Sequence, residues 1–345
     1  MQGTLKIEDL MTASINNILV SRLRFMGDVI LTTPLLAALR KACPQAHIGY
    51  LAESPYAELL RDHPHVDEVF TLTRGGGAAA ARLVRALRRV RWDAAIDLFG
   101  NPRSALLLFL SGARLRIGGD YRGRRWLYTH RISDDGVRRS AIDYHLRYLS
   151  PLGIVAGERT THIHVSGAAA AAARALLAGM GYDVDGVIVG LHPGATWPAK
   201  RWHAERFAAL ADRLADEGLQ VLFTLGPGET ERIDTILGMT RHAFVRPQIL
   251  PLRSLAAVLQ QLTVFVSNDC GPLHLAPAVG TRTVGIFGPG EPDIWFPYEE
   301  AAGHRLVHHT LDCSRCHRDF CETMACMSAI TVEDVWQQIH AALKR

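Results

Sequence analysis

The chain has 345 residues, 48% of them apolar, which is enough to form the hydrophobic cores of two domains of ordinary size. No run of 18 apolar residues is free of charge, which excludes a membrane-spanning helix, and the polar segment 1–17 lacks the apolar centre of a signal peptide. We therefore expect a cytoplasmic protein in which residues 1–17 form a disordered extension.

The formal net charge of +4 conceals a difference between the two halves of the chain. Residues 1–165 contain 23 Lys and Arg, 21 of them Arg, against 15 Asp and Glu, a net charge of +8. Residues 166–345 contain 15 basic and 19 acidic side chains, a net charge of −4. The basic half should attract an anionic partner, for which nucleic acid, an anionic membrane surface and a phosphorylated glycolipid are the alternatives. A solvated arginine-rich surface without a partner is the fourth alternative.

Short apolar runs alternate with amphipathic segments in two successive series, which is the pattern of parallel sheets covered by helices. The first series predicts strands at 18–20, 47–51, 66–72, 93–98 and 115–118, helices at 29–41, 55–61, 78–90, 104–110 and 140–149, and a basic loop at 122–131. The second series predicts strands at 187–191, 219–225 and 262–266, and helices at 168–177, 205–217, 231–237, 255–261 and 331–343. The fold class is therefore α/β, with domains at 18–165 and 166–330 and a C-terminal helix at 331–345.

Polar clusters follow several of these strands, and ligands of parallel sheets bind beyond the carboxyl ends of the strands. The first cluster, residues 22–28, follows the opening strand and ends in Gly27-Asp28. Asp28 is a candidate general base for an attacking hydroxyl group; the alternative is that it only caps the following helix. Arg22 and Arg24 are candidates to bind a phosphate or to pair with Asp28.

The second cluster is the loop 192–202, which begins with His192-Pro193-Gly194 and carries the hydroxyl group of Thr196 and the ammonium group of Lys200. A lysine here is suited to a diphosphate, although the spacing of a P-loop is absent. The third cluster is 226–229, where glycines let the backbone approach a ligand and the carboxylate of Glu229 is suited to ribose hydroxyls. A packed surface loop and an ordinary turn are the respective alternatives.

The fourth cluster, 267–276, is the most informative part of the chain. A strand over 262–266 ends at Asn268-Asp269 and turns through Gly271 into an apolar helical segment. The unpaired N–H groups and the dipole at the start of a helix form an anion site, and His274 adds a polar group beside it. We expect the phosphates of a nucleotide to bind here. Neither half has Gly-x-Gly-x-x-Gly after its opening strand, which argues against a dinucleotide dehydrogenase.

Four of the six cysteines lie close together near the end of the chain: Cys313, Cys316, Cys321 and Cys326. In a cytosolic protein such a cluster indicates zinc or an iron–sulfur centre before disulfides, although the spacing is not that of a standard zinc ribbon. His317 is near enough in sequence to compete as a ligand. A metal centre, reduced structural thiols and a redox-dependent disulfide remain alternatives.

Taken together, these motifs resemble the ADP-heptose:lipopolysaccharide heptosyltransferases of glycosyltransferase family 9, in the order of that family and over nearly the whole chain. The matching motifs are Gly27-Asp28, His192-Pro193-Gly194 with Lys200-x-Trp202, Gly226-Pro227-x-Glu229, Ser267-Asn268-Asp269-x-Gly271-Pro272-x-His274-Leu275-Ala276, Gly280-Thr281, Phe287-Gly288-Pro289 and Trp295. The chain departs from the family at Arg24, where members often have Ser, and at Ala195, where some have a second hydroxyl group.

The resemblance implies a GT-B fold, in which two Rossmann-like domains face one cleft, with the acceptor bound by the first domain and the ADP-sugar by the second. The C-terminal helix would return to the first domain. The implied reaction is the inverting transfer of a heptose from ADP-heptose to the inner core of lipopolysaccharide, without a cofactor or a metal. The protein would be held peripherally at the inner face of the cytoplasmic membrane and would not bind nucleic acid.

The resemblance also implies roles for individual residues. Asp28 is similar to the catalytic base proposed for the family, and Lys200 would support departure of the diphosphate. The donor-binding residues would be Thr196, Lys200, Glu229, Asp269, Gly271 and His274. The arginine excess supplies candidates for the anionic acceptor, namely Arg22, Arg24, Arg122, Arg124 and Arg125. The alternatives are a GT-B transferase with another nucleotide sugar, a nucleotide-sugar epimerase, and a basic nucleic-acid-binding module that would use Trp126 and Tyr128.

Overall fold

The computed structural model describes residues 15–73, 75–155 and 157–344. It contains two compact units, Met1–His164 and Val165–Arg345, with a boundary one residue before the one expected from the sequence. The predicted disordered extension over 1–17 falls mostly on residues outside those described, but Asn17 is already the first residue of a strand. Among the residues that the structure describes, none of the helices has the length and apolar character needed to cross a membrane.

The first unit is built around a six-stranded parallel sheet in the order β3-β2-β1-β4-β5-β6. Its strands are β1 (Asn17–Ser21), β2 (His47–Glu53), β3 (Glu68–Leu72), β4 (Ala94–Asp97), β5 (Leu115–Gly119) and β6 (His130–Ile132). β1 lies between β2 and β4 and is buried from Ile18 to Ser21, as expected for an apolar central strand of a parallel sheet. The carboxyl ends of these three strands therefore meet at one edge.

The helices of the first unit differ in detail from the predicted ones. They are α1 (Met26–Ile30), α2 (Thr33–Ala42), α3 (Gly77–Leu87), α4 (Pro102–Leu110) and α5 (Ala141–Leu146), with 3-10 helices at Tyr56–Leu60, Arg125–Leu127 and Arg147–Leu152. The single helix predicted at 29–41 is two helices, because Pro34 fits the first turn of a helix and not its interior. The helix predicted at 140–149 is α-helical over Ala141–Leu146 and then continues as a 3-10 helix that contains Pro151. The predicted basic loop at 122–131 is partly regular, since it contains a 3-10 helix and the start of β6.

The second unit contains a five-stranded parallel sheet in the order β11-β10-β9-β7-β8. Its strands are β7 (Ile188–His192), β8 (Gln220–Phe223), β9 (Val264–Asn268), β10 (Arg282–Phe287) and β11 (Arg305–His308). β9 lies between β7 and β10, so the loop that follows β7 and the helix that follows β9 begin side by side. The last two strands were not predicted.

The helices of the second unit include a C-terminal helix that packs on the sheet of its own unit. They are α6 (Gly167–Gly179), α7 (Ala204–Asp216), α8 (Thr230–Met239), α9 (Leu252–Leu259), α10 (Gly271–Ala278), α11 (Pro292–Trp295), α12 (Ala325–Ala329) and α13 (Val332–Leu343), with 3-10 helices at Pro198–Lys200 and Glu300–Ala302. α13 packs against β9, β10, β11 and α7, and its Val335 and Ile339 are buried in the core of the second unit. The apolar face of this helix therefore covers the sheet of its own unit, and its return to the first domain stays a prediction.

Three buried histidines make the stability of the fold sensitive to acid. Burial lowers the pKa of His63, His145 and His274 from 6.5 to about 3. Between these two values the unfolded chain binds more protons than the folded chain, so the stabilisation is complete above pH 6.5 and is lost as the pH falls. We expect these three groups to contribute a fall of about 4 kcal/mol in the free energy of unfolding between about pH 7.5 and pH 5.5, as measured by urea unfolding. His145→Gln should remove about one third of this dependence, and a flat profile would contradict it.

Candidate active site

The carboxyl end of β1 places Arg22 beside Asp28. The backbone N–H of Arg22 donates to the carbonyl of Leu51 at 3.2 Å, and its Nη1 donates to the carbonyl of Leu98 at 2.6 Å. Its Nη2 forms an ion pair with Oδ1 of Asp28, whose Oδ2 accepts the backbone N–H of Phe25 at 3.1 Å. Both charged side chains are 15% exposed. Asp28 therefore does cap the start of α1, and its fixed, partly exposed carboxylate still has lone pairs for a further hydrogen bond.

Three of the five predicted acceptor arginines converge on the loop that follows β4. The guanidinium groups of Arg22 and Arg24 lie 4.9 Å and 5.9 Å from the ring centroid of Phe99. Nε of Arg124 donates to the carbonyl of Gly100. Arg122 and Arg125, the other two, lie exposed on the surface. The structure thus brings Arg22, Arg24 and Arg124 together at one edge of the first sheet.

The loop that these arginines contact is held by Asp97, a residue that sequence reasoning missed. Its carboxylate is fully buried and accepts the backbone N–H groups of Phe99 at 3.0 Å and Gly100 at 2.9 Å. It also accepts the hydroxyl groups of Ser104 at 2.8 Å and Tyr128 at 2.6 Å. Burial raises the pKa of Asp97, while the four hydrogen bonds favour the ionised form. The signal in the sequence was an Asp at the end of an otherwise apolar strand.

In the second unit, Asn268 at the end of β9 ties down the loop that follows β7. Its Nδ2 donates to the carbonyls of Pro193 at 2.8 Å and Gly194 at 3.2 Å, and its Oδ1 accepts the backbone N–H of Trp202 at 3.1 Å. The same loop is held from the other side by Arg232, whose Nε donates to the carbonyl of Pro193 at 2.8 Å. Asn268 and Arg232 are positioning residues that we did not predict, although Asn268 directly precedes Asp269 in the motif.

Glu229 lies against Gly194, so the second and third sequence clusters form one site. Oε2 of Glu229 accepts the backbone N–H of Gly226 at 2.6 Å and lies 3.6 Å from Nε2 of His192. A Cβ atom on Gly194 would lie 2.0 Å from Oε1 of Glu229, so only glycine allows this approach. Burial lowers the pKa of His192, which favours the neutral imidazole. The carboxylate of Glu229 is therefore held in one place.

Lys200 and Asp269 join the second and fourth clusters. Nζ of Lys200 lies 2.5 Å from Oδ2 of Asp269 and 4.8 Å from the ring centroid of Trp197. Asp269 is only 7% exposed, and its backbone N–H donates to the carbonyl of Ile286 at 3.2 Å. The ammonium group is thus fixed beside the end of β9, and Thr196 in the same loop is exposed.

The start of α10 follows directly after Asp269. Gly271 is the first residue of the helix, and His274 lies buried in its first turn, with Nδ1 3.0 Å from the hydroxyl group of Tyr298. Burial, together with the charge of Lys200, lowers the pKa of His274 to about 3, so its imidazole is neutral near neutral pH. Burial raises the pKa of Cys270 to about 12, which keeps this thiol protonated. The dipole of this helix start suits an anion, although Pro272 has no N–H and the N–H of Leu273 donates to the carbonyl of Cys270 at 3.2 Å.

The late cysteines do not form a metal centre in the described part of the chain. Cys313 and Cys316 are exposed, Cys326 is buried, and all four thiols of the cluster are free. Within the described residues no group of three or more His, Cys, Asp or Glu side chains is arranged to hold a metal ion. The structure therefore gives the metal alternative no support, and reduced thiols and a redox-dependent disulfide remain.

Comparison with known proteins relates the chain to glycosyltransferases. The model of glycosyltransferase family 9 (heptosyltransferase) matches residues 80–325. Lipopolysaccharide heptosyltransferase 3 of Escherichia coli is 26% identical over 296 residues, which cover 80% of this chain and 84% of that protein. Lipopolysaccharide heptosyltransferase 2 of Escherichia coli K12 is 28% identical over 314 residues, which cover 83% of this chain and 86% of that protein.

Solved structures show the same fold. The glycosyl transferase family 9 protein from Veillonella parvula DSM 2008 has a TM-score of 0.85 and 26% identity, covering 96% of this chain and 99% of that one. The ADP-heptose lps heptosyltransferase II of Escherichia coli has a TM-score of 0.78 and 24% identity, covering 95% of this chain and 98% of that one. These likenesses confirm the predicted GT-B fold class.

Proposed function

This chain belongs to glycosyltransferase family 9, and from that premise we propose that it transfers a heptose from ADP-heptose to the inner core of lipopolysaccharide, with inversion at the anomeric carbon. The observation that supports this most strongly is the joint site at the carboxyl edge of the second sheet. There Glu229, Lys200 and the start of α10 are fixed by contacts between segments far apart in the sequence.

The chemistry of that joint site suits an ADP-sugar. Lys200 would neutralise the diphosphate, whose charge is also favoured by the dipole at the start of α10. Glu229 would accept hydrogen bonds from the ribose hydroxyls, with Gly194 leaving room for its carboxylate. Asp269, Gly271 and the neutral imidazole of His274 would lie along the diphosphate and the sugar.

We assign the proton transfer to Asp28. Its carboxylate accepts the proton of an acceptor hydroxyl group while that oxygen forms a bond to the anomeric carbon. The bond from the anomeric carbon to the diphosphate oxygen breaks, and ADP leaves with the electron pair. Positioning and electrostatic stabilisation of the leaving diphosphate by Lys200 supply most of the rate, as in other displacements of phosphate groups.

The first unit would bind the acceptor. Precursors of the inner core carry phosphates and acidic sugars, for which guanidinium groups offer paired N–H donors. Arg22, Arg24 and Arg124 contact one loop at the edge of the first sheet, which supports a role for them as a group. Because the acceptor is a glycolipid, we place the protein at the inner face of the cytoplasmic membrane as a peripheral protein.

Product analysis with purified protein tests this function. We expect release of ADP and addition of one heptose when a heptose-deficient core acceptor is incubated with ADP-heptose, and no transfer from UDP-sugars. Efficient transfer from a UDP-sugar, or conversion of a nucleotide sugar without any acceptor, would instead indicate another transferase of this fold or an epimerase.

Replacing Gly194 tests the donor site. Gly194→Ala places a methyl group where Oε1 of Glu229 lies, so Glu229 must move away and its contact with ribose is lost. We expect the affinity for ADP, measured by calorimetry, to fall by roughly 10–100-fold, the value of one lost charge-assisted hydrogen bond. Gly238→Ala in α8 is the matched control, because no atom lies within 4 Å of the added Cβ and ADP affinity should not change. Equal ADP affinity in the two variants would contradict the assigned role of Glu229.

Ionic strength should affect the binding of the acceptor and of the donor differently. Acceptor binding depends on several partly exposed arginines, whereas the donor is held by one partly buried lysine and by neutral donors. Raising the ionic strength from about 0.05 M to about 0.5 M should therefore raise the KM for the acceptor more than the Kd for ADP. Equal sensitivity of both constants would count against this division of substrates.

A further inference from the structure

An exposed apolar surface on the first unit is not used by the proposed reaction. Leu106 and Phe109 lie one turn apart on α4 and are 48% and 42% exposed, and Trp126 in the following 3-10 helix is 70% exposed. The rings of Phe109 and Trp126 are in edge contact, with centroids 6.3 Å apart. We call Leu106, Phe109 and Trp126 the aromatic surface. Large apolar groups that are exposed side by side mark interaction sites more often than chance.

The aromatic surface is held rigidly from beneath. Leu127 and Tyr128, directly after Trp126, pack on Ala105 of α4 in a small buried cluster. The guanidinium group of Arg116 lies 5.4 Å from the ring centroid of Phe109, and its Nε donates to the carbonyl of Leu127 at 2.7 Å. The exposed side chains therefore project from a fixed base, which lowers the entropy cost of binding.

The charge around the aromatic surface is strongly positive. Residues 102–131 contain a single carboxylate, Asp120, against seven arginines: Arg103, Arg114, Arg116, Arg122, Arg124, Arg125 and Arg131. All of these except Arg116 and Arg124 are exposed, although Nη1 of Arg103 lies 3.9 Å from Glu53. Aromatic side chains surrounded by cations fit the interface of an anionic bilayer, where rings enter the headgroup region and guanidinium groups meet phosphates.

We propose that the aromatic surface docks on the anionic phospholipids of a membrane, with Arg103, Arg122 and Arg125 at the lipid phosphates. This inference rests on the proposed function in one respect, namely that a glycolipid acceptor requires the enzyme at a bilayer. The surface adjoins the predicted acceptor site, because α4 begins directly after the loop at 97–101 that accepts hydrogen bonds from Arg22 and Arg124. Docking here brings that loop to the membrane surface.

Vesicle binding without any acceptor tests the surface independently of catalysis. The full chain should cosediment with vesicles of phosphatidylglycerol and phosphatidylethanolamine and not with vesicles of phosphatidylcholine. The double variant Phe109→Ser with Trp126→Ser should bind at least about 10-fold more weakly, as should Arg122→Glu with Arg125→Glu. The matched controls are exposed apolar residues of the second unit, Met239→Ser with Ile249→Ser, and exposed arginines of α3, Arg82→Glu with Arg85→Glu. Neither control should change binding.

Fluorescence locates the contact without disturbing the fold. Brominated acyl chains should quench the emission of the wild type, and the quenching should be lost in Trp126→Phe. Equal binding to neutral vesicles, or quenching that persists in Trp126→Phe, would overturn the proposal. The proposal would also be overturned if Phe109→Ser with Trp126→Ser abolished self-association or binding of single-stranded nucleic acid but left vesicle binding intact.

Activity then separates this inference from the proposed function. Phe109→Ser with Trp126→Ser should lose transfer to an acceptor embedded in vesicles and keep transfer to the same core oligosaccharide freed of its lipid. If no preparation transfers heptose while vesicle binding still depends on Trp126, the proposed function fails and the docking surface stands. If the double variant transfers heptose to both acceptors at the rates of the wild type, the docking surface fails and the function stands.

Discussion

Asp28→Asn is expected to lower kcat for heptosyl transfer by about 100–1000-fold while leaving the affinity for ADP unchanged. The amide is nearly the same size as the carboxylate but cannot take the proton of the acceptor hydroxyl group. The amide oxygen can still accept the N–H of Phe25, and Arg22, which loses its ion pair, keeps its hydrogen bond to the carbonyl of Leu98, so the fold should tolerate the change. Single-turnover kinetics with both substrates at saturation measure the chemical step directly.

The two interpretations of Asp28 make different predictions for that experiment. If Asp28 only caps α1, Asp28→Asn should turn over at a near-normal rate, and Asp28→Ala should lose stability and little else. Asp134→Asn is a matched control, because this exposed carboxylate also accepts a backbone N–H, that of Gly136 at 3.0 Å. Its kcat should equal that of the wild type. Near-normal turnover in Asp28→Asn would refute the base assignment.

Lys200→Ala is expected to lower kcat/KM for ADP-heptose by about 100–1000-fold, because it removes a preorganised charge from the leaving diphosphate. It also removes the ammonium group that lies 2.5 Å from the nearly buried carboxylate of Asp269, which should cost on the order of 3 kcal/mol of unfolding free energy. Initial rates against ADP-heptose concentration and urea unfolding measure the two effects separately.

A double variant distinguishes the chemical from the structural effect of Lys200. Lys200→Ala with Asp269→Asn removes both charges, so part of the lost stability should return while kcat/KM stays low. Lys41→Ala, an exposed lysine of α2, is the control and should change neither quantity. Recovery of activity together with stability in the double variant would show that Lys200 acts only by supporting the fold.

The sequence patterns predicted the central strands better than the edges. β1 and β9 are unbroken apolar runs that end in polar motifs, and both are buried where expected. β6 has three residues inside an arginine-rich segment, and β10 begins at Arg282, so neither shows a long apolar run. The packing of α13 on the sheet of its own unit was not predicted, because an amphipathic pattern shows that a face is buried and does not show which element covers it.

The candidate site could be predicted in part from the sequence, because each of its motifs follows a strand. The sequence does not show which distant segments are in contact. The approach of Glu229 to Gly194 and the hydrogen bonds from Asn268 to the loop after β7 depend on the order of strands in the sheet. Asp97 was missed for a related reason, since a buried Asp at a strand end is significant only once its four donors are known.

The most direct test of heptosyl transfer by this chain is the mass of the core oligosaccharide from cells that lack it. We predict a core that is shorter by a heptose and by any sugars added to it, restored by the wild-type chain and not by Asp28→Asn or Lys200→Ala. An unchanged core, or a core that lacks a different sugar while every heptose is present, would contradict the assignment.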